Sequence, residues 1–172
     1  MTLIREGIHF QDTPCAHPDR HSGMEGVSIK VTTAENPLTI SNLYYPPASS
    51  SSVSSFSSAN ALSIIPNENE LVVGDLNAHH ELWDSRLTDD RGNSLVDSIL
   101  VNSAAVLNNG DATRRSPATG TETSPDVTIC HRSLADKATW EVIEELNSDR
   151  HPIFTNVYSM VECREKGSKR AV

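Results

Sequence analysis

The sequence predicts an α+β domain rich in short strands, on three observations. Apolar residues recur with period two, or in short β-branched runs, at several places along the chain. Only one stretch, near residues 92–102, carries apolar residues at helical spacing. Turn-forming clusters such as Asn-Pro, Asn-Gly, Ser-Pro and Asn-Ser-Asp separate the runs. Alternation marks a half-buried strand, a short apolar run a buried one, and spacing of three and four a helix.

Taken in order, Val27, Ile29 and Val31 alternate with Ser28 and Lys30, and Leu38, Ile40 and Tyr44 share a parity after the turn Glu35-Asn36-Pro37. This pattern predicts an antiparallel pair. Eight of the ten positions 49–58 are serine, which reads as a solvent-exposed connector in preference to a poor helix turning Val53, Phe56 and Leu62 inward. Glu70-Leu71-Val72-Val73-Gly74 is short and β-branched and predicts a buried strand. Asp89-Asp90 can cap a helix over 92–102 whose Leu95, Val96, Ile99 and Leu100 share a face. Further strands are expected at 105–107, 127–129, 140–143 and 153–157, and the polar tail 161–172 is expected to fray.

At 172 residues the chain has the length of one domain. Its formal charge of -9 argues against non-specific adhesion to nucleic acid, although a bound cation reverses local electrostatics, so a metal-dependent nuclease stays open. No apolar run approaches the roughly 20 residues of a membrane span, and the start MTLIREGIHF lacks the apolar stretch of a signal peptide. The expectation is an intracellular chain with no membrane partner. Cys15, Cys130 and Cys163 are widely spaced and odd in number, which reads as reduced thiols and not as a disulfide framework or zinc knuckle.

The chemistry concentrates at the ends of three of these strands. Asp75 and Asn77 follow the buried strand on alternate positions, so in extended backbone they project to one side. An acid and an amide so placed suit phosphoryl transfer; the competing reading is an Asx-turn that closes the strand. His79-His80 lacks metal-ligand spacing and is expected to pack or cap beside Trp83. Asp126 stands at the mouth of the 127–129 strand, and Ser148-Asp149-Arg150-His151-Pro152-Ile153 puts acid, guanidinium and imidazole before the last one.

These pieces, in this order, resemble the endonuclease domain of non-LTR retrotransposons, a branch of the endonuclease/exonuclease/phosphatase superfamily that includes apurinic endonucleases and deoxyribonuclease I. LYYPP at 43–47, LVVGDLNAHHELWD at 71–84, RGNSLVDSI with VLNNGDATR, SPDVTIC and SDRHPI carry the likeness. It implies a sandwich of two sheets flanked by helices, with its site at one end where loops converge. It further implies that residues 1–160 form a partial domain of this kind, interrupted by the connector 49–58 and followed by the tail 161–172. The activity implied is magnesium-dependent nicking of DNA for target-primed retrotransposition, with Mn2+ as a possible substitute for Mg2+. DNA and a reverse transcriptase domain of the parent polyprotein are the implied partners, and the nucleus the implied place of action. A phosphatase or phosphodiesterase of the same superfamily is the neighbouring alternative; the segment Asp111-Ala112-Thr113-Arg114-Arg115 looks closer to the retrotransposon branch.

By position, the resemblance implies that Asp75 activates the attacking water and Asn77 binds the scissile phosphate. Tyr44 would contact the phosphate, Thr113 would support the phosphate-binding side of the groove, Asp126 would orient a catalytic histidine, and Asp149 would help hold the divalent cation or hydrogen-bond around it. Two departures stand out. The family pattern Ser-Asp-His-x-Pro-Ile is here Ser148-Asp149-Arg150-His151-Pro152-Ile153, so Arg150 takes the histidine's place. Arg150 can clamp a phosphate but cannot exchange a proton near neutral pH; His151 would recover the role only through a one-residue bulge. The family's first two strands, with the main metal-binding Glu on the second, have no counterpart before TLIREGI at 2–8, which looks like the strand that follows them. Weak or absent catalysis and exposed sheet edges are the expected consequences, down to a decayed fragment with no enzymatic role.

Overall fold

The computed structural model describes residues 6–16, 23–47, 56–143 and 148–158. Its elements are β1 (Phe10–Thr13), β2 (Glu25–Val31), β3 (Leu38–Tyr44), α1 (Ser58–Ser63), β4 (Glu70–Asp75), α2 (Asp90–Val101), β5 (Ala104–Val106), β6 (Arg114–Arg115), β7 (Glu122–Thr123), β8 (Asp126–His131), α3 (Arg132–Ala135), β9 (Ala138–Val142) and β10 (Ile153–Val157). Six strands form one sheet in the order β1-β2-β3-β4-β8-β5; β9 pairs with β10, and β6 with β7. In the large sheet β3 and β4 run parallel and the other neighbours antiparallel. A parallel pair needs a crossover, and the connection between Tyr44 and Glu70 carries α1 for this purpose.

The expected β2–β3 hairpin forms, with Val31 opposite Leu38 and Glu25 opposite Tyr44. Cross-strand partners share a face, so one face of the sheet carries Val27, Ile40, Val73 and Thr128, and the other Ser28, Leu43, Val72 and Ile129. The second face is the main core. Leu43, Val72, Val127 and Ile129 pack there against Ile64 of the α1 C-cap, Trp83, and Leu95 and Ile99 of α2. The first face carries the small sheet, held partly by Trp140 Nε1, which donates to Thr128 Oγ1 at 3.0 Å inside the layer. A second cluster, Leu71, Cys130 and Leu134 with Val157, fills that side.

Several expectations shift in place. The first described strand lies at Phe10–Thr13; of the expected 2–8 strand, residues 2–5 lie outside the described residues, and Glu6 and Gly7 form a turn. The helix after Asp89 starts at Asp90, because the Asp89 carboxylate accepts from Gly92 N at 2.7 Å and caps it. Its Leu100 stays 69% exposed, so the buried stripe is narrower than its spacing implied. The serine run ends in structure: Ser57 caps α1, whose N-terminal turn is Ser58-Ala59-Asn60, and Phe56 packs edge-on to Tyr45. Leu62 points outward; Val53 and most of the connector lie outside the described residues, as do Cys163 and the tail 161–172. Cys15 and Cys130 are free thiols, and burial pushes the Cys130 thiol up to about 11. Among the described residues no helix is long and apolar enough to cross a membrane.

Candidate active site

Three residues fall in one row across adjacent strands: Tyr44 at the end of β3 lies opposite Asp75 at the end of β4, which lies opposite Asp126 at the start of β8. Strand register alone brings these positions together from far apart in sequence. Like charges directly opposite each other destabilise a sheet, so the Asp75–Asp126 pair needs a positive group. Arg150 supplies it. Its Nη2 donates to Asp75 Oδ2 at 2.6 Å and its Nη1 to Asp126 Oδ2 at 3.0 Å. The approach is set by the backbone: Arg150 forms an antiparallel bridge with Arg114, with Arg115 N donating to Asp149 O and His151 N to Thr113 O. The bridge pairs Arg150 itself with Arg114, one residue before His151, and so turns Arg150 and not His151 toward the two carboxylates.

Thr113 is fully buried and donates its hydroxyl to Asp126 Oδ2 at 2.7 Å. Burial raises the Asp126 carboxyl above its ordinary value; the Thr113 hydroxyl and Arg150 oppose the rise, and Asp75 adds to it. Burial lowers the Arg150 guanidinium, but the hydrogen bonds and charges of Asp75 and Asp126 outweigh it and the net shift is upward. Asn108 holds the start of β8, donating to Asp126 O and accepting from Thr128 N, so its side chain continues the edge where β5 has ended. Asp149 turns elsewhere, 3.7 Å from Arg114 Nε. His151 lines a cleft of about 500 Å³ with Asp84, Arg86, Asp111 and Arg115, and its buried Nδ1 has no hydrogen-bond partner among the described residues.

The loop after β4 departs from the extended backbone expected for Asp75-x-Asn77. Asn77 sits at φ 44°, Asp75 Oδ1 accepts its N–H at 3.2 Å, and its Nδ2 donates to Tyr45 O at 2.9 Å. The two side chains are therefore organised by an Asx-type turn and not by strand alternation. Arg91, which the sequence did not single out, clamps this loop from α2. Its Nη1 donates to the carbonyls of Pro46, Leu76 and Asn77, and its guanidinium lies 4.1 Å over the Tyr45 ring. The paired histidines pack and cap as expected: His80 Nδ1 accepts from Leu82 N and its ring lies 5.5 Å from Trp83, while His79 Nδ1 meets Ser85 Oγ at 3.0 Å.

Magnesium demands several oxygen ligands around one point, whereas one oxygen of Asp75 and one of Asp126 already accept from Arg150 and Asp149 faces Arg114. Among the described residues no group of three or more His, Cys, Asp or Glu converges as a metal site. The residues, so arranged, do not fit the ion.

A six-stranded sheet backed by helices, faced by a smaller sheet and carrying paired acids at one end, defines a deoxyribonuclease I-like domain. The fold is similar to that of the endonuclease domain of TRAS1, a telomere-specific non-LTR retrotransposon, with TM-score 0.70 and 21% identity over 90% of this chain and 69% of that one. A D. rerio TDP2 structure, complexed with single strand DNA product, matches at TM-score 0.44 and 10% identity over 83% of this chain and 62% of that one. The endonuclease-reverse transcriptase family profile matches residues 38–154, more than half of the sequence, and the chain belongs to that family. No curated protein matches it.

Proposed function

We propose that this chain is the DNA-engaging endonuclease part of a retroelement polyprotein, and that it cleaves phosphodiester bonds weakly or not at all. One observation carries the reading: Arg150, at the motif position where the resemblance implies a proton-carrying histidine, touches both Asp75 and Asp126. Asp75 is the group to orient an attacking water, Asn77 and Tyr44 to meet the phosphate, and Asp126 to orient a proton carrier, with Thr113 fixing Asp126. Arg150 keeps its proton near neutral pH, so it binds a phosphate and does not relay protons. Asp149 and His151 support the groove wall. Enzymes of this superfamily are in general divalent-metal dependent, whereas the described residues here do not fit magnesium. A reverse transcriptase in the same polyprotein is the proposed partner.

The test is nicking of supercoiled plasmid. Wild type is expected to give little product, Arg150→His more, and Arg150→His with Asp75→Ala none. Folded Arg150→His that nicks nothing at any protein concentration would sink the enzyme reading and leave a decayed domain. Faster turnover of small phosphate esters than of plasmid would move the substrate to the phosphoesterase alternative.

A further inference from the structure

Two carboxylates facing each other across neighbouring strands favour a cation between them. In this chain that cation is covalently attached. Arg150 Nη2 and Nη1 occupy the Oδ2 atoms of Asp75 and Asp126 at 2.6 and 3.0 Å. Thr113 Oγ1 fixes the second carboxylate at 2.7 Å, and the Arg114–Arg150 bridge fixes the backbone. A guanidinium carries five N–H donors. The carboxylates use two of them, on a side chain that remains 42% exposed, so the others are available to an incoming acceptor. Tyr44, 44% exposed and in the same row, lies beside this opening.

We propose that Arg150 is the built-in cation of this site: it excludes divalent metal from Asp75 and Asp126 and offers its remaining N–H groups to a phosphodiester oxygen. Binding of the nucleic-acid backbone then requires no divalent ion. The inference rests on the DNA-binding reading above and not on cleavage.

The experiment is fluorescence anisotropy of a labelled short DNA duplex with the full chain, at fixed low ionic strength, in EDTA and in magnesium. Wild type is expected to bind in EDTA and to gain no affinity from magnesium, which competes for the DNA phosphates. Arg150→Gln is expected to lose about tenfold in EDTA, the weight of a charge-assisted phosphate contact, and to regain part of it with Mg2+ or Mn2+ as the freed carboxylates collect the ion. In parallel, Mn2+ should raise the Tm of Arg150→Gln but not of wild type, and adding Asp75→Asn should abolish the rise. If Arg150→Gln does not fold by circular dichroism, Arg150→Lys replaces it; a single ammonium lacks the fork that spans both carboxylates, so partial divalent sensitivity is expected. Wild-type binding lost in EDTA, no wild-type binding in either buffer, or a folded variant with unchanged affinity would each overturn the proposal. Failure of Arg150→His to nick removes the cleavage reading and leaves this one standing, whereas a Mn2+-induced Tm rise in wild type removes this one alone.

Discussion

Burial raises the Asp126 carboxyl above its ordinary 3.8, against the lowering effect of Thr113 and Arg150. A carboxyl raised in the folded state keeps its proton to higher pH than in the unfolded chain. Between 3.8 and the raised value the folded state therefore binds more protons, stability falls as pH rises, and the full cost applies above that window. Asp126→Asn removes this cost. Subtracting its urea-denaturation stability from that of wild type across acid pH should leave a component that declines with rising pH; a rising component contradicts the burial argument. Arg91 makes a second prediction at this scale. Arg91→Met keeps much of the volume but leaves the Pro46, Leu76 and Asn77 carbonyls without their donor, at a cost on the order of 3 kcal/mol. A loss below about 0.5 kcal/mol, the level of an ordinary surface change, would show that solvent replaces the clamp. Asp75, Asn77 and Asp126 were legible as acids and amides at strand ends. Arg91 was not, because its partners lie 14 to 45 residues away in sequence.

Helix α2 meets the site loop at Gly92, where an added Cβ would lie 2.0 Å from His79 O. Gly→Ala in a helix ordinarily stabilises by roughly 0.5–1 kcal/mol, yet here the backbone of the 76–80 loop stands in the way. Gly92→Ala is therefore expected to destabilise by about 1–3 kcal/mol, the range for overpacking; a higher Tm than wild type would refute the contact. At the same joint Asp89 caps the helix through Gly92 N and also accepts from His79 N. Asp89→Ala should cost about 1 kcal/mol or more, read by thermal melting. The cap was visible in Asp89-Asp90, and the helix followed within two residues of expectation. The β6–β7 hairpin and α3 were not foreseen: two-residue strands and a single helical turn carry too few positions to show a period.

For the molecule as a whole, the large sheet and the β9–β10 sheet that faces it are unequal. The face that carries β9 and β10 leaves Val27 50% and Phe10 44% exposed toward β1 and β2. Among the described residues β10 pairs only with β9, and its sequence Ile153-Phe154-Thr155-Asn156-Val157 carries no charge to guard the open edge. Concentration-dependent association is the expected result, measurable by sedimentation. Asn156→Lys, at an exposed edge position, should reduce it, and unchanged association in that variant would place the contact elsewhere.

Local chemistry, which needs only neighbours in sequence, was fixed by the amino acids themselves. Period-two runs set the β2–β3 hairpin, the β-branched run set β4, Asp89 set the start of α2, and the ordered motifs set the family. Register and direction, which depend on residues far apart in the chain, were decided only on folding. A one-residue slip turns a strand side chain to the opposite face, so whether Arg150 or His151 faces Asp75 depended on how the 148–153 segment pairs with Arg114. That pairing places a permanent positive charge between two carboxylates.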